Sequence, residues 1–315
     1  MALAMNDEHE ARGERDLADR KFYPADEEAA FSDAAMPQTP QTRHPAYKLA
    51  FRDTDFLLRD ELRPVRFQLE LLKPEMLLDE AGVGSTLVMY GSARIPPPEA
   101  VDEALAGAKD LPDGERRVVE NLAKKAKYYG EAYKLAKMVS EKSIIESGKR
   151  QFVICSGGGP SIMEAANKGA SDAGAESVGL NIVLPHEQAP NPYVTPYLSF
   201  QFHYFALRKM HFLLRAKAVA VFPGGFGTFD EFFELLTLIQ TGKMKPMPIL
   251  LFGKDFWNRV IDFEALADEG TIGHKDLELF RWCETADEAW EKIARFYQID
   301  GYEADPSEEG SPRTA

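Results

Sequence analysis

Along the middle of the chain the apolar positions switch repeatedly between two periods. "TLVMY" (86–90) is a short apolar run closed by glycine, the mark of a buried strand. "RVVENLAKKAKYYGEAYKLAKMVSEKS" (117–143) spaces its apolar residues at three and four, which predicts one long helix. "QFVICSGGGP" reads as a strand running into a glycine loop, "SIMEAANKGASDAG" as a helix closed by Gly174, and "SVGLNIVLP" as another strand. The alternation continues through "FALRKMHFLLRAK" (helix), "AVAVFPGGFGT" (strand, then glycine turn), "FDEFFELLTLIQTGK" (helix), "MPILLFG" (strand) and "DFWNRVIDFEALADEG" (helix). Such alternation implies an α/β fold, a parallel sheet with helices on both faces. Ligands of these sheets bind at the carboxyl ends of the strands. Glycine-containing loops follow strands at Gly91-Ser92, at Gly157-Gly158-Gly159 and at Gly224-Gly225-Phe226-Gly227, so all should emerge on that edge.

The flanks differ. Residues 1–48 are polar, charged and proline-containing without sustained periodicity, and read as a disordered tail, as do residues 302–315. Between them and the alternating region, residues 49–82 form an N-terminal helical extension. Phe56, Leu57, Val65, Phe67, Leu69, Leu71 and Leu72 recur at helical spacing there, with interruptions expected at Pro64 and Pro74. The alternating α/β domain is then 83–301.

Composition narrows the function classes. A net charge of −14 over 315 residues argues against a general nucleic-acid-binding surface while leaving room for a local basic pocket. The two cysteines, Cys155 and Cys283, lie far apart without metal-binding spacing, which argues against a disulfide framework and a structural zinc site. No apolar run reaches the ~18 residues of a membrane span, and the first residues lack an apolar signal core. The expectation is a cytoplasmic protein that engages neither membrane nor nucleic acid.

The chemistry concentrates at "PGGFGTFDEFFE" (223–234), where a glycine turn meets the carboxylates of Asp230, Glu231 and Glu234. Free amides of a glycine turn and the positive end of the following helix welcome an anion. Thr228 is the expected N-cap, and its spacing to Glu231 is that of a capping box. Upstream, Arg208 and Lys209 can neutralise the gathered acids. A cradle for phosphate beside carboxylates suits a nucleoside monophosphate. Its phosphate takes the amides, its ribose hydroxyls take carboxylates, and the oxocarbenium-like state of glycosidic cleavage takes a negative charge. The P-loop pattern GxxxxGK[ST] is absent, and "GGGPSIMEA" is not GxGxxG. Glu176 is poorly spaced for a ribose-binding acid, so a dinucleotide enzyme is a weak alternative. His203 and His211 read as packing or surface residues, and no metal cluster is apparent.

"PGGFGTFDE" has the form PGGxGTxxE, and "ALRKM" lies upstream of it. With "YGSAR", "SGGGPSIMEAANKGA", "GLNIVLPHEQAPN" and "QTGKMKPMPILLFG", the order over roughly 84–300 resembles the Lonely Guy (LOG) family of phosphoribohydrolases, also labelled lysine decarboxylase-like, in its longer bacterial branch. The resemblance implies a modified Rossmann fold and hydrolysis of AMP or an N6-substituted AMP to base and ribose 5-phosphate. It further implies no cofactor and a homodimer or higher homo-oligomer. It assigns Arg208 and Glu231 as the catalytic pair. Gly224, Gly225, Gly227 and Thr228 then hold the phosphate. Glu187, Lys209 and Thr237 match further substrate contacts, with Asp230 beside them, and Ser92 and Gly158 line the pocket. The chain departs from plant-type members at Asp230, usually Glu, and at Pro160 and Glu164, which leaves the preferred base open. Arg208 is expected to keep Glu231 ionised. The rival reading is a non-catalytic nucleotide or molybdenum-cofactor carrier of the same fold, against which the Arg208–Glu231 pair argues.

Overall fold

The computed structural model describes residues 23–185, 189–299 and 301–303. The chain divides into two compact units, Met1–Arg66 and Phe67–Ala315. The described residues of the first form short pieces. Residues 23–48, expected as a disordered tail, contain the helix Ala25–Ala35. Asp26, Glu27 and Glu28 in its first turn suit the positive end of a helix, a local signal that the lack of apolar periodicity hid. Single turns follow at Pro40–Arg43, Ala50–Arg52 and Thr54–Leu57, the last capped by Asp53. Arg52 pairs with Asp33 at 2.6 Å, and the Arg66 guanidinium donates to the carbonyls of Leu57 and Arg59 at 2.7 and 2.6 Å. The remainder of the expected tails, 1–22 and 304–315, lies outside the described residues.

The helix Arg63–Glu80 carries Pro64 in its first turn, where a missing N–H costs nothing. It also continues unbroken past Pro74, where an interruption was expected. An interior proline costs ~3 kcal/mol, and tertiary contacts offset that here, because Pro74 and Leu78 are buried.

The second unit is built on nine strands among the described residues: β1 (Thr86–Tyr90), β2 (Ile145–Glu146), β3 (Lys149–Arg150), β4 (Val153–Ser156), β5 (Ser177–Ile182), β6 (Ser199–Phe202), β7 (Ala216–Val221), β8 (Ile249–Phe252) and β9 (Arg281–Cys283). β2 and β3 form a small antiparallel hairpin. The other seven form one sheet in the order β6-β5-β4-β1-β7-β8-β9, parallel at every pairing. The alternation-based expectation of a parallel, helix-covered sheet therefore holds. β1 is buried throughout, and its residues alternate between two cores. Val88 and Tyr90 join Phe212, Phe232 and Trp257 on one face, while Leu87 and Met89 join Leu135, Ile162 and Phe222 on the other.

Some elements differ from the expected ones. The long helix expected over 117–143 is two, Asp113–Ala123 and Ala126–Glu141, broken at Lys124 and Lys125. The helix expected over 255–270 is also two, Lys254–Val260 and Phe263–Asp268, because Asp262 caps a new start by accepting the Ala265 N–H. The edge strands β6 and β9 escape the sequence reading, being only 4 and 3 residues long.

The chain builds outward from β1 through β4, β5 and β6, then returns to the other side of β1 with β7, β8 and β9. The strand order reverses at β1 and β7, and a crevice opens at such a point beyond the carboxyl ends of the strands. The glycine loops follow β4, β1 and β7, which are neighbours in the sheet.

Candidate functional site

Backbone bonds join these loops. The Ser92 N–H donates to the carbonyl of Pro223 at 3.1 Å, and the Ile162 N–H donates to the carbonyl of Ser92 at 3.3 Å. Ser92 thus sits where the loops after β1, β4 and β7 meet, and its hydroxyl accepts the Arg94 N–H at 2.9 Å.

The loop after β4 rests on a buried polar network that sequence reasoning missed. The Ser156 hydroxyl donates to Asn167 Oδ1 at 2.7 Å and accepts the Gly158 N–H at 3.0 Å. Asn167 Nδ2 donates to Ser177 Oγ at 3.0 Å. Asn191 donates its amide to Asn167 Oδ1 and to the Gly159 carbonyl, and its N–H to the Gly158 carbonyl at 2.7 Å. Asn167 is fully buried, so its satisfied bonds specify one loop geometry. The available signal was an asparagine on the apolar side of "MEAANKGA". Gly158 has φ +72, and a Cβ there would collide with the Asn181 amide, so both conformation and space require glycine. Ser161 holds φ +64 without being glycine, a conformation that costs ~1–3 kcal/mol. Its hydroxyl donates to the Ile95 carbonyl at 2.6 Å.

Arg208 and Glu231 come together. Arg208 lies in the first turn of the helix Phe205–Leu214, and Glu231 in the helix Phe226–Gln240. Arg208 Nε donates to the Leu180 carbonyl at 2.7 Å, and Nη1 stands 3.5 Å from Glu231 Oε1. A Cβ on residue 157 would stand 2.7 Å from both Arg208 Nη2 and Met163 Sδ, so Gly157 leaves room for the guanidinium. Side-chain exposures of 12% for Arg208 and 14% for Glu231 put the pair largely out of water. The expectation that Arg208 keeps Glu231 ionised is corrected. Burial pushes the Glu231 carboxyl up to about 7, Arg208 and Lys209 pull it down only partly, and Asp230 and Glu234 add like charge. The buried Tyr90 faces the same cluster, and burial, followed by the charge of Glu231, holds its phenol well above the usual range.

Lys209 neutralises the neighbouring acids as expected, bridging Asp230 at 2.9 Å and Glu234 at 3.0 Å. Burial works against its charge, yet the bonds to these carboxylates prevail and raise its pKa.

At the glycine turn the helix N-cap is Gly225, with no side-chain cap, so Thr228 is neither N-cap nor half of a capping box with Glu231. Thr228 lies inside the first turn, buried, with its side chain folded onto Gly224. Gly225 and Gly227 are exposed, and a Cβ on either would meet open space. Thr237 stands apart, exposed further along the helix, with its hydroxyl donated to the Phe233 carbonyl at 2.8 Å. Glu187 lies outside the described residues. Glu164 accepts the Tyr129 hydroxyl at 3.2 Å on the helix Ala126–Glu141, so it is Met163 that lies beside Arg208. His211 is buried and His203 exposed, in line with packing and surface roles. Among the described residues no group of His, Cys, Asp and Glu can hold a metal ion, and no helix is long and apolar enough to cross a membrane.

Comparison with known proteins finds a family model described as "Possible lysine decarboxylase" matching residues 163–293. That span contains Arg208, Glu231 and the turn at 224–228, and over it the resemblance read from the motifs is borne out. No curated protein matches. Among solved structures, the structural-genomics target TM1055 is 19% identical, with 68% of this chain and 99% of that chain covered and a TM-score of 0.41. A molybdenum cofactor carrier protein from Chlamydomonas reinhardtii is 20% identical, with 55% and 87% covered and a TM-score of 0.36.

Proposed function

We propose that this chain, whose residues 163–293 match the family described as "Possible lysine decarboxylase", hydrolyses the N-glycosidic bond of a nucleoside 5′-monophosphate. The substrate is AMP or an N6-substituted AMP, and the products are free base and ribose 5-phosphate. The observation that carries the reading is the largely buried Arg208–Glu231 pair beside glycine turns at the carboxyl edge of the sheet. In this reading the phosphate sits on the first-turn amides of the helix Phe226–Gln240, where N–H groups lack helical partners and the dipole favours an anion. Charged Glu231 faces the sugar ring as positive charge develops at the anomeric carbon, worth most where water is excluded. Arg208, fixed by Leu180, orients Glu231 and the phosphoribosyl unit.

Lysine decarboxylation draws on pyridoxal phosphate held as a Schiff base, which requires a neutral amine. Lys209 bridges two carboxylates and stays charged, so the lysine at this site does not fit that role.

The reading includes a homo-oligomer working in the cytoplasm. In support, the second unit exposes Leu69, Leu72 and Met76 on one helix and Phe205, Met210 and Leu214 on another, each more than two-fifths exposed. The test of function is incubation of the purified protein with AMP and with isopentenyl-AMP, followed by chromatography. Free base and ribose 5-phosphate are expected. A wild type that binds AMP without cleaving it gives way to the carrier reading.

A further inference from the structure

The helix Phe205–Leu214 does not cap itself. Its N-cap residue, Tyr204, makes no side-chain cap bond. The acceptor comes from 133 residues earlier: Glu70, in the helix Arg63–Glu80, accepts the His203 N–H at 2.9 Å and the Tyr204 N–H at 3.2 Å. Phe67, one turn before Glu70, stacks on the Tyr204 ring at 4.1 Å and 17°. The Tyr204 carbonyl in turn accepts the Arg208 N–H at 3.1 Å. A short relay therefore runs from the Glu70 carboxylate to the N–H of Tyr204 and, from the carbonyl of the same residue, to the backbone of Arg208, whose side chain reaches Glu231.

The far end is held by the same helix. Arg215, just past Leu214, makes a two-pronged contact with Glu75 (Nε to Oε1 3.2 Å, Nη2 to Oε2 3.1 Å) and reaches Asp79 at 3.1 Å. His211 Nε2 lies 3.1 Å from the Glu70 carbonyl. A carbonyl only accepts, so the proton is on Nε2, and burial keeps the ring from charging. A carboxylate thus meets the positive end of the helix and a guanidinium the negative end, both favoured by the dipole.

We propose that Glu70 is a positioning residue for Arg208, capping from another helix the element that carries it. The inference rests on the reading of Arg208 as the partner of Glu231. That role differs from a merely stabilising contact, because the cap holds the N–H of the residue whose carbonyl accepts the Arg208 N–H.

The test follows the titration of Glu231 by NMR, on protein labelled at the glutamate carboxyl carbons, with Glu231→Gln to assign the signal. It needs no ligand. Arg208 pulls this carboxyl down, so a retreating guanidinium lets it rise. Glu70→Ala is expected to raise the midpoint by about 0.6 pH unit, the change when a unit charge withdraws from ~4 to ~5 Å at an effective dielectric of ~20. Arg208→Ala raises it further, and the double variant titrates like Arg208→Ala alone. A Glu70→Ala midpoint equal to wild type overturns the proposal, as does a full additional shift in the double variant. Glu70→Gln keeps one acceptor oxygen and should fall between. It carries the test with the same outcomes if the alanine variant does not fold. Where the wild type cleaves AMP, Glu70→Ala is expected to lower kcat by roughly 10- to 100-fold, the scale of an ångström of misplacement, with KM nearly unchanged. An unchanged kcat there counts against Glu70. A wild type inert towards AMP counts against the hydrolase reading alone, since the titration still decides the role of Glu70.

Discussion

At Glu231 two opposing effects meet, and the stronger sets the chemistry. Burial raises the carboxyl from its ordinary 4.5 to about 7, while the guanidinium 3.5 Å away offsets only part of the cost. Because the folded-state value is the higher one, this group favours folding below pH 4.5 and loses that contribution as pH rises through about 7. At ~1.4 kcal/mol per pH unit, the strain of charging Glu231 is on the order of 3 kcal/mol. Glu231→Gln resembles the protonated form and removes that strain. Denaturant melts should find the variant more stable than wild type at pH 8 by a few kcal/mol and closely matched at pH 4.5, while AMP hydrolysis falls at least ~100-fold. Equal stability at both pH values would mean that Glu231 is not raised. Activity that needs the charged form should climb with pH through about 7, so a flat profile from pH 6 to 8 would refute that requirement. Arg208→Lys tests the other member. Lysine keeps the charge but not the planar fork that bonds Leu180 and Glu231 together, so most turnover should disappear while the fold persists. A lysine variant with wild-type turnover would make Arg208 a simple counter-charge.

At the scale of elements, the turn at 224–228 separates a structural glycine from a ligand-facing one. A Cβ on residue 224 would run into the Thr228 side chain, whereas residue 227 faces open space. Gly224→Ala should lower the melting temperature by forcing the turn apart. Gly227→Ala should leave stability intact, since alanine favours helix, yet weaken AMP binding by crowding the phosphate position. Calorimetry of AMP binding and melting curves for both variants check the pair, and a Gly227→Ala protein with wild-type affinity would move the phosphate elsewhere. Much of this element was legible: glycines after apolar runs announced the turns, and strand–helix alternation put them on one edge. The Thr228 cap was misread because spacing alone cannot tell an N-cap from a first-turn residue packed inward. The asparagine network under Gly158 and the Glu70 cap stayed hidden for another reason. They join residues remote in sequence, and no local pattern records which buried polar groups will meet. Short edge strands likewise depend on what packs against them more than on propensity.

At the scale of the whole molecule, large apolar side chains stand exposed on two helices. The helix Phe205–Leu214 buries Leu207, Phe212 and Leu213 against the sheet and leaves Phe205, Met210 and Leu214 in solvent, while its neighbour Arg63–Glu80 exposes Leu69, Leu72 and Met76. A net charge of −14 works against indiscriminate association, which favours a specific, well-fitted contact over such residues. In the proposed homo-oligomer that contact lies on the element that positions Arg208, and assembly would stiffen the arginine helix from outside as Glu70 does from within. Two consequences can be separated by experiment. Light scattering at micromolar concentration should give at least twice the 35.2 kDa chain mass. Met210→Asp places a charge in the exposed patch without touching the buried face, so the variant should fold, shift towards the monomer, and lose turnover in proportion to the monomer fraction. A wild type that stays monomeric defeats the oligomer proposal. A monomeric Met210→Asp protein with full turnover would show instead that one chain contains the complete site.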